Sequence, residues 1–421
     1  MSDKLDVYKR RLLIYAHYYT PDVASTGQIL RELAEGMLHT FDITVICVVP
    51  SYTGRVAPEY KTKWFYEEVN NGVKILRVRV PEFTKKSKVS RIRNIIAYFV
   101  GAMLATLKVG KMDYVYSISQ PPILGGLIGV WGKWIKRAKY IYNIQDFNPE
   151  QTIAVGYSKN QLILKTMLWL DNFSCRYSDK VIVVGRDMIG TLAERFKGKK
   201  VPRYAFINNW IDENQIYPLG PDNEKVLDFK RKHGLENKFI IMYSGNLGLY
   251  YDLENLMGVI KEFKERTDVM FVFVGEGSVK DKLVLYKNNH HLENVTFIPY
   301  QDKSDLLYSL NAGDIHWCVN AKGIKGVSVP SKLYGIIAAG KPILGVLEKG
   351  SEARLIIEET NCGYVTDPGN YEEIEAMITK VLAEKESSNL REMGERGRGY
   401  LVKNLTQSVS IDKYVDEILS C

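Results

Sequence analysis

Cysteine is scarce and unpatterned in this chain. The five residues, Cys47, Cys175, Cys318, Cys362 and Cys421, form neither a C-x-x-C pair nor an even framework. Such a set excludes a disulfide-stapled fold and a cysteine-based zinc site, and it fits a reducing compartment. The six histidines show no metal-ligand spacing. Long apolar runs are also lacking. The longest, residues 95–107, falls short of the roughly 18–20 residues that a membrane-spanning helix needs. The polar stretch 1–11 does not read as a signal peptide. G-x-G-x-x-G, P-loop, G-x-S-x-G and H-E-x-x-H motifs are missing, so dinucleotide, Walker-type, serine-hydrolase and zincin chemistries have no support.

What is present is a globular chain of 421 residues, 46% hydrophobic and 25% charged, a length at which two cores are expected. Its net charge of +8 is clustered. Lys85, Lys86, Lys88, Arg91 and Arg93 precede the apolar run 95–107, Lys108 and Lys111 follow it, and Trp131-Gly-Lys-Trp-Ile-Lys-Arg137 repeats the mixture of indoles and cations. This pattern suits a segment lying on an anionic membrane surface, or equally a core helix with basic solvent-facing ends. Nothing resembles a nucleic-acid-binding motif, and the charge forms no stripe, so no nucleic-acid partner is expected.

Apolar runs at 12–16, 43–49, 73–80, 114–118, 140–144, 181–184 and 203–207 read as strands, with helical patterns between them. The pattern restarts at 239–244, 270–274, 295–299, 315–319, 343–347 and 363–365. The alternation predicts two α/β domains, 1–212 and 213–399, each a doubly wound parallel sheet. A helix over 400–421 is expected to pack back on the first. Ligands of such sheets bind at the carboxyl ends of strands, so the motifs there carry the argument.

Five stand out. Tyr18-Tyr-Thr-Pro-Asp-Val-Ala-Ser-Thr-Gly27 follows the first strand, where Gly27 admits a ligand near a helix start, or Ser25 or Thr26 merely caps it. Asn143-Ile-Gln-Asp-Phe-Asn-Pro-Glu150 places Gln145, Asp146, Asn148 and Glu150 beyond a strand, suited to hydroxyls and to a developing cation; as an alternative, Asp146 only caps a turn. Tyr243-Ser-Gly-Asn-Leu-Gly248 is a glycine-bearing turn in which Gly245 and Gly248 suit phosphate oxygens. Tyr300 can stack on a base or pack as a loop aromatic, and Glu352 can bind a ribose diol or complement a helix dipole. Most informative is Ser328-Val-Pro-Ser-Lys-Leu-Tyr-Gly335. It is read as a helix capped by Ser331, closed by Gly340, with Lys332 at an anion-binding N-terminus.

In order, these motifs resemble the retaining family 4 glycosyltransferases of GT-B fold, over nearly the whole chain. Their versions here are similar to a branch that builds bacterial surface polysaccharides, including N-acetylamino-sugar and N-acetylfucosamine transferases. The resemblance implies a UDP-sugar donor whose diphosphate meets Gly245, Asn246, Gly248, Ser331, Lys332 and Leu333. It also implies that the base meets Tyr300 and the ribose Glu352. Gln145, Asp146 and Lys332 would carry catalysis, with Tyr18, Thr26, Gly27 and Asn148 toward the acceptor. It implies no metal cofactor, same-face attack, and a lipid-linked saccharide acceptor at the cytoplasmic membrane face. A soluble acceptor or a non-catalytic nucleotide-sugar-binding scaffold are the alternatives. Three departures shift the expected roles. Gln145 replaces a histidine. Gly335 and Val327 replace a glutamate pair, moving ribose binding to Glu352. Asn246 and Tyr251 replace an arginine and a lysine, leaving phosphate charge to Lys332.

Overall fold

The computed structural model describes residues 9–22, 25–84 and 87–421. Lys85 and Lys86 of the basic run, Val23 and Ala24 of the first motif, and the side chain of Ser25 lie outside the described residues. Strands β1 (Arg10–Tyr15), β2 (Phe41–Val48), β3 (Phe65–Asn70), β4 (Val73–Val78), β5 (Tyr114–Ile118), β6 (Lys139–Ile144), β7 (Lys180–Val183) and β8 (Tyr204–Phe206) form one sheet in the order β3-β4-β2-β1-β5-β6-β7-β8. A second sheet holds β9 (Phe239–Ser244), β10 (Val269–Val274), β11 (Val295–Ile298), β12 (Ile315–Val319), β13 (Ile343–Val346) and β14 (Gly363–Thr366), ordered β11-β10-β9-β12-β13-β14. The central strands, such as Ile-Ile-Met-Tyr in β9, are apolar throughout because helices cover both faces.

Among the described strands, all pairings are parallel except one. β3 runs antiparallel to β4 at the edge of the first sheet, a strand the sequence reading passed over. Asn71 and Gly72, with φ of 47° and 84°, turn the chain between them, as a two-residue hairpin loop requires. Strand order reverses between β1 and β5 in the first sheet, and between β9 and β12 in the second. These two switch points open crevices at the carboxyl edges of the sheets.

The expected 400–421 helix is in fact two. The Ser388–Asn404 helix stays against the second sheet, and a new helix, Gln407–Leu419, starts where Thr406 Oγ1 accepts a hydrogen bond from Val409 N. This last helix sends Ile411, Tyr414, Val415 and Ile418 into the core beneath β1, beside Leu12, Ile14 and Leu33. Buried Asn143 donates to Tyr414 Oη at 3.1 Å, and Lys180 Nζ reaches Glu417 at 2.6 Å. Tyr414→Phe should therefore lower stability by about 1 kcal/mol, the worth of one hydrogen bond, and denaturant unfolding monitored by tryptophan emission checks it.

Candidate functional site

The chain of β9 turns at Gly245, whose φ of 143° is open to glycine alone; a Cβ there would press on the Lys332 side chain at 2.8 Å. Gly275, after β10, has φ 144° and lies so close that its own Cβ would strike Gly245 O. Gly245 forms part of the wall of a cavity of about 210 Å³, whose lining includes Val274, Tyr300, Leu306, Ser331, Lys332 and Gly335. It sits at the switch point between β9 and β12, because the loop after β12 leads into the Lys332–Ala338 helix.

Lys332 is the cation of this cavity. Its Nζ lies 3.4 Å from the ring centroid of Tyr251 and 5.0 Å from that of Tyr243, and among the described residues it makes no ion pair. Burial brings its pKa down to about 7, with slight opposition from nearby Cys318. Tyr251 therefore does what a carboxylate does elsewhere: it offers the ammonium a negative ring face without neutralising it. Sequence reasoning treated Tyr251 only as a missing lysine. Gly335 also lines the cavity, and a Cβ there would find only ordinary contacts with Leu310 and Ile211, so its small size leaves open volume beside Lys332.

From the first sheet, the loop after β6 crosses to this edge. Asp146 forms an antiparallel bridge with Ser328, and Phe147 N donates to Val327 O at 2.9 Å. Burial pushes the Asp146 carboxyl up to about 6 against hydrogen bonds to Gln151 and Ser328, which lower it. Burial raises Tyr251 to about 12, and the charge of Asp146 adds to that shift. Tyr251 thus feels the charge of Asp146 from one half of the chain and meets the Lys332 ammonium in the other.

Several expected roles need correction. Gln145 is buried, its amide spent on Asn143 and on Asn209 Nδ2, which donates to it at 2.7 Å. Glu352 is 1% exposed. One carboxylate oxygen accepts from Arg186 N and Nε at 2.9 and 2.8 Å, and the other from Asn208 Nδ2 at 3.0 Å. It ties the two halves together and has no place on the cavity wall, so the ribose contact expected of it is not made available by this arrangement. Asn148 is buried, its carbonyl accepting from Arg195, and Glu150 is held by the same arginine. Ser331 is exposed on the cavity but makes no capping bond. Leu333 is in the core, and its N–H already meets Pro330 O. Asn246 is exposed at the glycine turn, its carbonyl accepting from Tyr243 Oη, while Gly248 is buried behind it.

At the other switch point, Thr26 Oγ1 donates to Gln120 Oε1 at 3.1 Å, joining the start of the Ser25–Gly36 helix to the loop after β5. Gly27 packs under Tyr18 O, where a Cβ would sit at 3.0 Å. Tyr18 is half-buried, and burial, with Asp22 nearby, raises it to about 12. Beside it, the His17 ring lies 4.2 Å from that of Tyr18, and burial holds its pKa near 4, so the imidazole is neutral at physiological pH. His17 is one of the six histidines without metal-ligand spacing, and its neighbours in sequence carry no signal that sets it apart.

Two doubly wound domains, with a cationic cavity in one and an acid reaching in from the other, take the GT-B fold, as does the solved sucrose-phosphate synthase of Thermosynechococcus elongatus (TM-score 0.75, 12% identity, 98% of this chain and 99% of that one). Residues 226–400 match the family described as glycosyl transferases, group 1, and together with the curated relatives this supports a transferase. The chain is 24% identical over 407 residues to a probable glycosyltransferase, WbjE, of Pseudomonas aeruginosa, with 96% of each covered. It is 23% identical to the putative colanic acid biosynthesis glycosyl transferase WcaI of Escherichia coli, covering 92% of this chain and 96% of that one. Anabaena HepE, solved with UDP-glucose, superposes with a TM-score of 0.69 at 14% identity, over 97% of this chain and 99% of HepE.

Proposed function

We propose that the protein transfers a sugar, N-acetylated in the favoured reading, from a UDP-sugar to a lipid-linked saccharide during surface polysaccharide assembly. The transfer proceeds with retention and without a metal, at the inner face of the cell membrane. The observation that carries the donor assignment is Lys332, a cation that has no carboxylate partner among the described residues and lies at the wall of a switch-point cavity. The colanic acid biosynthesis named for WcaI supports the polysaccharide setting, and the UDP-glucose bound by HepE supports the donor class.

In this reading the Lys332 ammonium meets the diphosphate as the C1–O(phosphate) bond breaks, and its charge stabilises the leaving group. The acceptor hydroxyl attacks C1 from the same face, and its proton passes to the departing phosphate oxygen. Asp146, ionised at neutral pH, stabilises the positive charge that develops on the sugar ring. Tyr300, exposed at the rim, stacks on the uracil. Tyr300→Ala should weaken UDP binding by about 0.5–1.5 kcal/mol, as read by calorimetry.

Thermal melting against a panel of nucleotide sugars tests the assignment, because a ligand bound only by the folded state raises Tm. UDP-sugars should raise it more than ADP- or GDP-sugars. The reverse ranking would remove UDP as the donor nucleotide.

A further inference from the structure

Three adjacent helices, Lys88–Lys108, Leu124–Lys136 and Gln161–Tyr177, form a layer over one face of the first sheet. The first buries Asn94, Tyr98, Ala102 and Thr106. Its opposite side should be polar in a helix facing water. Instead Val89, Ile92, Ile96, Val100, Leu104 and Leu107 are all exposed, Val89 by 76%. Their spacing of three and four residues aligns them in a single outward stripe along the helix. The Gln161–Tyr177 helix repeats the anomaly with aromatics. Trp169, 66% exposed, leads through Phe173 to Tyr177, and Trp134 of the middle helix meets Phe173 and Tyr177 edge-on at 6.1 and 5.6 Å.

Charge on this layer has one sign. The three helices carry eight Lys and Arg and a single acid, Asp171, which is buried against Arg195. At the far end of the aromatic ladder lies a cleft of about 620 Å³ lined by Arg176, Lys199, Lys200 and Arg203. Its one acid, Asp179, already pairs with Lys133.

We propose that the outward face of these three helices is a docking surface for an anionic lipid leaflet. An apolar stripe with indole and phenol rings and a basic rim matches the layering of a bilayer surface, acyl region inward and phosphates at the edge. A second copy of the chain fits poorly, since a two-fold contact through this face sets cations against cations. The helix N-termini, with Val89 and Leu162, lie at the carboxyl edge of the sheet, the edge where Asp146 meets Ser328. Docking in this way holds the cleft mouth at headgroup level. The proposal rests on the lipid-linked-acceptor reading for its purpose, but its test does not use the reaction.

The full chain is floated with phosphatidylglycerol-containing vesicles and with pure phosphatidylcholine vesicles, beside an Ile92→Ser/Ile96→Ser/Val100→Ser variant and a separate Trp169→Ala variant. Because these side chains are exposed, melting temperature and UDP affinity should not change. Binding to the anionic vesicles is expected for the unaltered chain. It should fall at least about tenfold in the triple variant and several-fold in Trp169→Ala. Failure of the unaltered chain to bind anionic vesicles, or equal binding by the triple variant, overturns the proposal. So does light scattering that shows a dimer dissociated by the triple substitution, which would make the face a copy-to-copy interface. Loss of UDP binding with vesicle binding intact would sink the donor reading and leave this surface standing.

Discussion

Lys332→Ala is expected to weaken UDP binding by about 1.5–3 kcal/mol, roughly 10- to 150-fold, the scale of a charge-assisted hydrogen bond. The pH dependence makes the test specific. In the free protein Lys332 titrates near 7, lowered by burial. A bound diphosphate favours the ammonium, so the complex holds its proton to higher pH than the free protein does. Binding therefore takes up a proton above pH 7, and UDP affinity should fall by up to about tenfold per pH unit there while staying level below it. Lys332→Met should remove that slope along with the affinity, whereas Lys332→Arg should keep affinity and lose the slope. Calorimetry in buffers of differing ionisation enthalpy reads the proton directly. Equal UDP affinity in the alanine variant would take Lys332 out of the site.

Asp146→Asn is expected to lower kcat by about 10²–10⁴-fold, the range for a positioned acid–base or charge-stabilising group, with UDP affinity within about twofold. Asparagine keeps the shape and can still meet Gln151 and Ser328, so the fold should survive. Because burial raises the Asp146 carboxyl to about 6, the unaltered enzyme should lose activity as pH falls through about 6, where the carboxylate takes up its proton. That acid limb should be missing from the residual activity of the asparagine variant. A pH–rate profile with unchanged acid limb would assign the limb, and the role, to another group.

Much of the architecture was legible because buried parallel strands read as unbroken apolar runs. Phe239–Ser244 and Ile315–Val319 have the same bounds in sequence and structure. The exception is instructive. β3 is half-exposed and carries Glu67 and Glu68, so it has no apolar run, although Asn71-Gly72 was a readable hairpin signal.

The site was legible where its residues sit on the turns that the strands dictate. Gly245 and Lys332 were found for that reason, and Tyr300 with them. It was illegible where a side chain's partner is remote. Nothing near Glu352 in sequence shows that Arg186, 166 residues earlier, consumes its carboxylate. Nor does anything near Gln145 reveal that Asn209 holds its amide. The outward stripe on Lys88–Lys108 was ambiguous for a related physical cause: periodicity shows that a helix has an apolar face, while only packing shows whether a second apolar face remains uncovered.

The Gln407–Leu419 helix has a consequence for how the molecule is made. The core beneath β1 needs Ile411, Tyr414 and Ile418, and Asn143 finds Tyr414 from 271 residues away. During synthesis the first sheet emerges early, yet its core stays open until the whole second sheet has been translated. Through that interval Leu12, Ile14 and Leu33 lack their final cover, a state in which exposed apolar surface favours aggregation or chaperone capture. Loss of this helix would thus be felt in strands translated long before it, in the stability of β1 and β6.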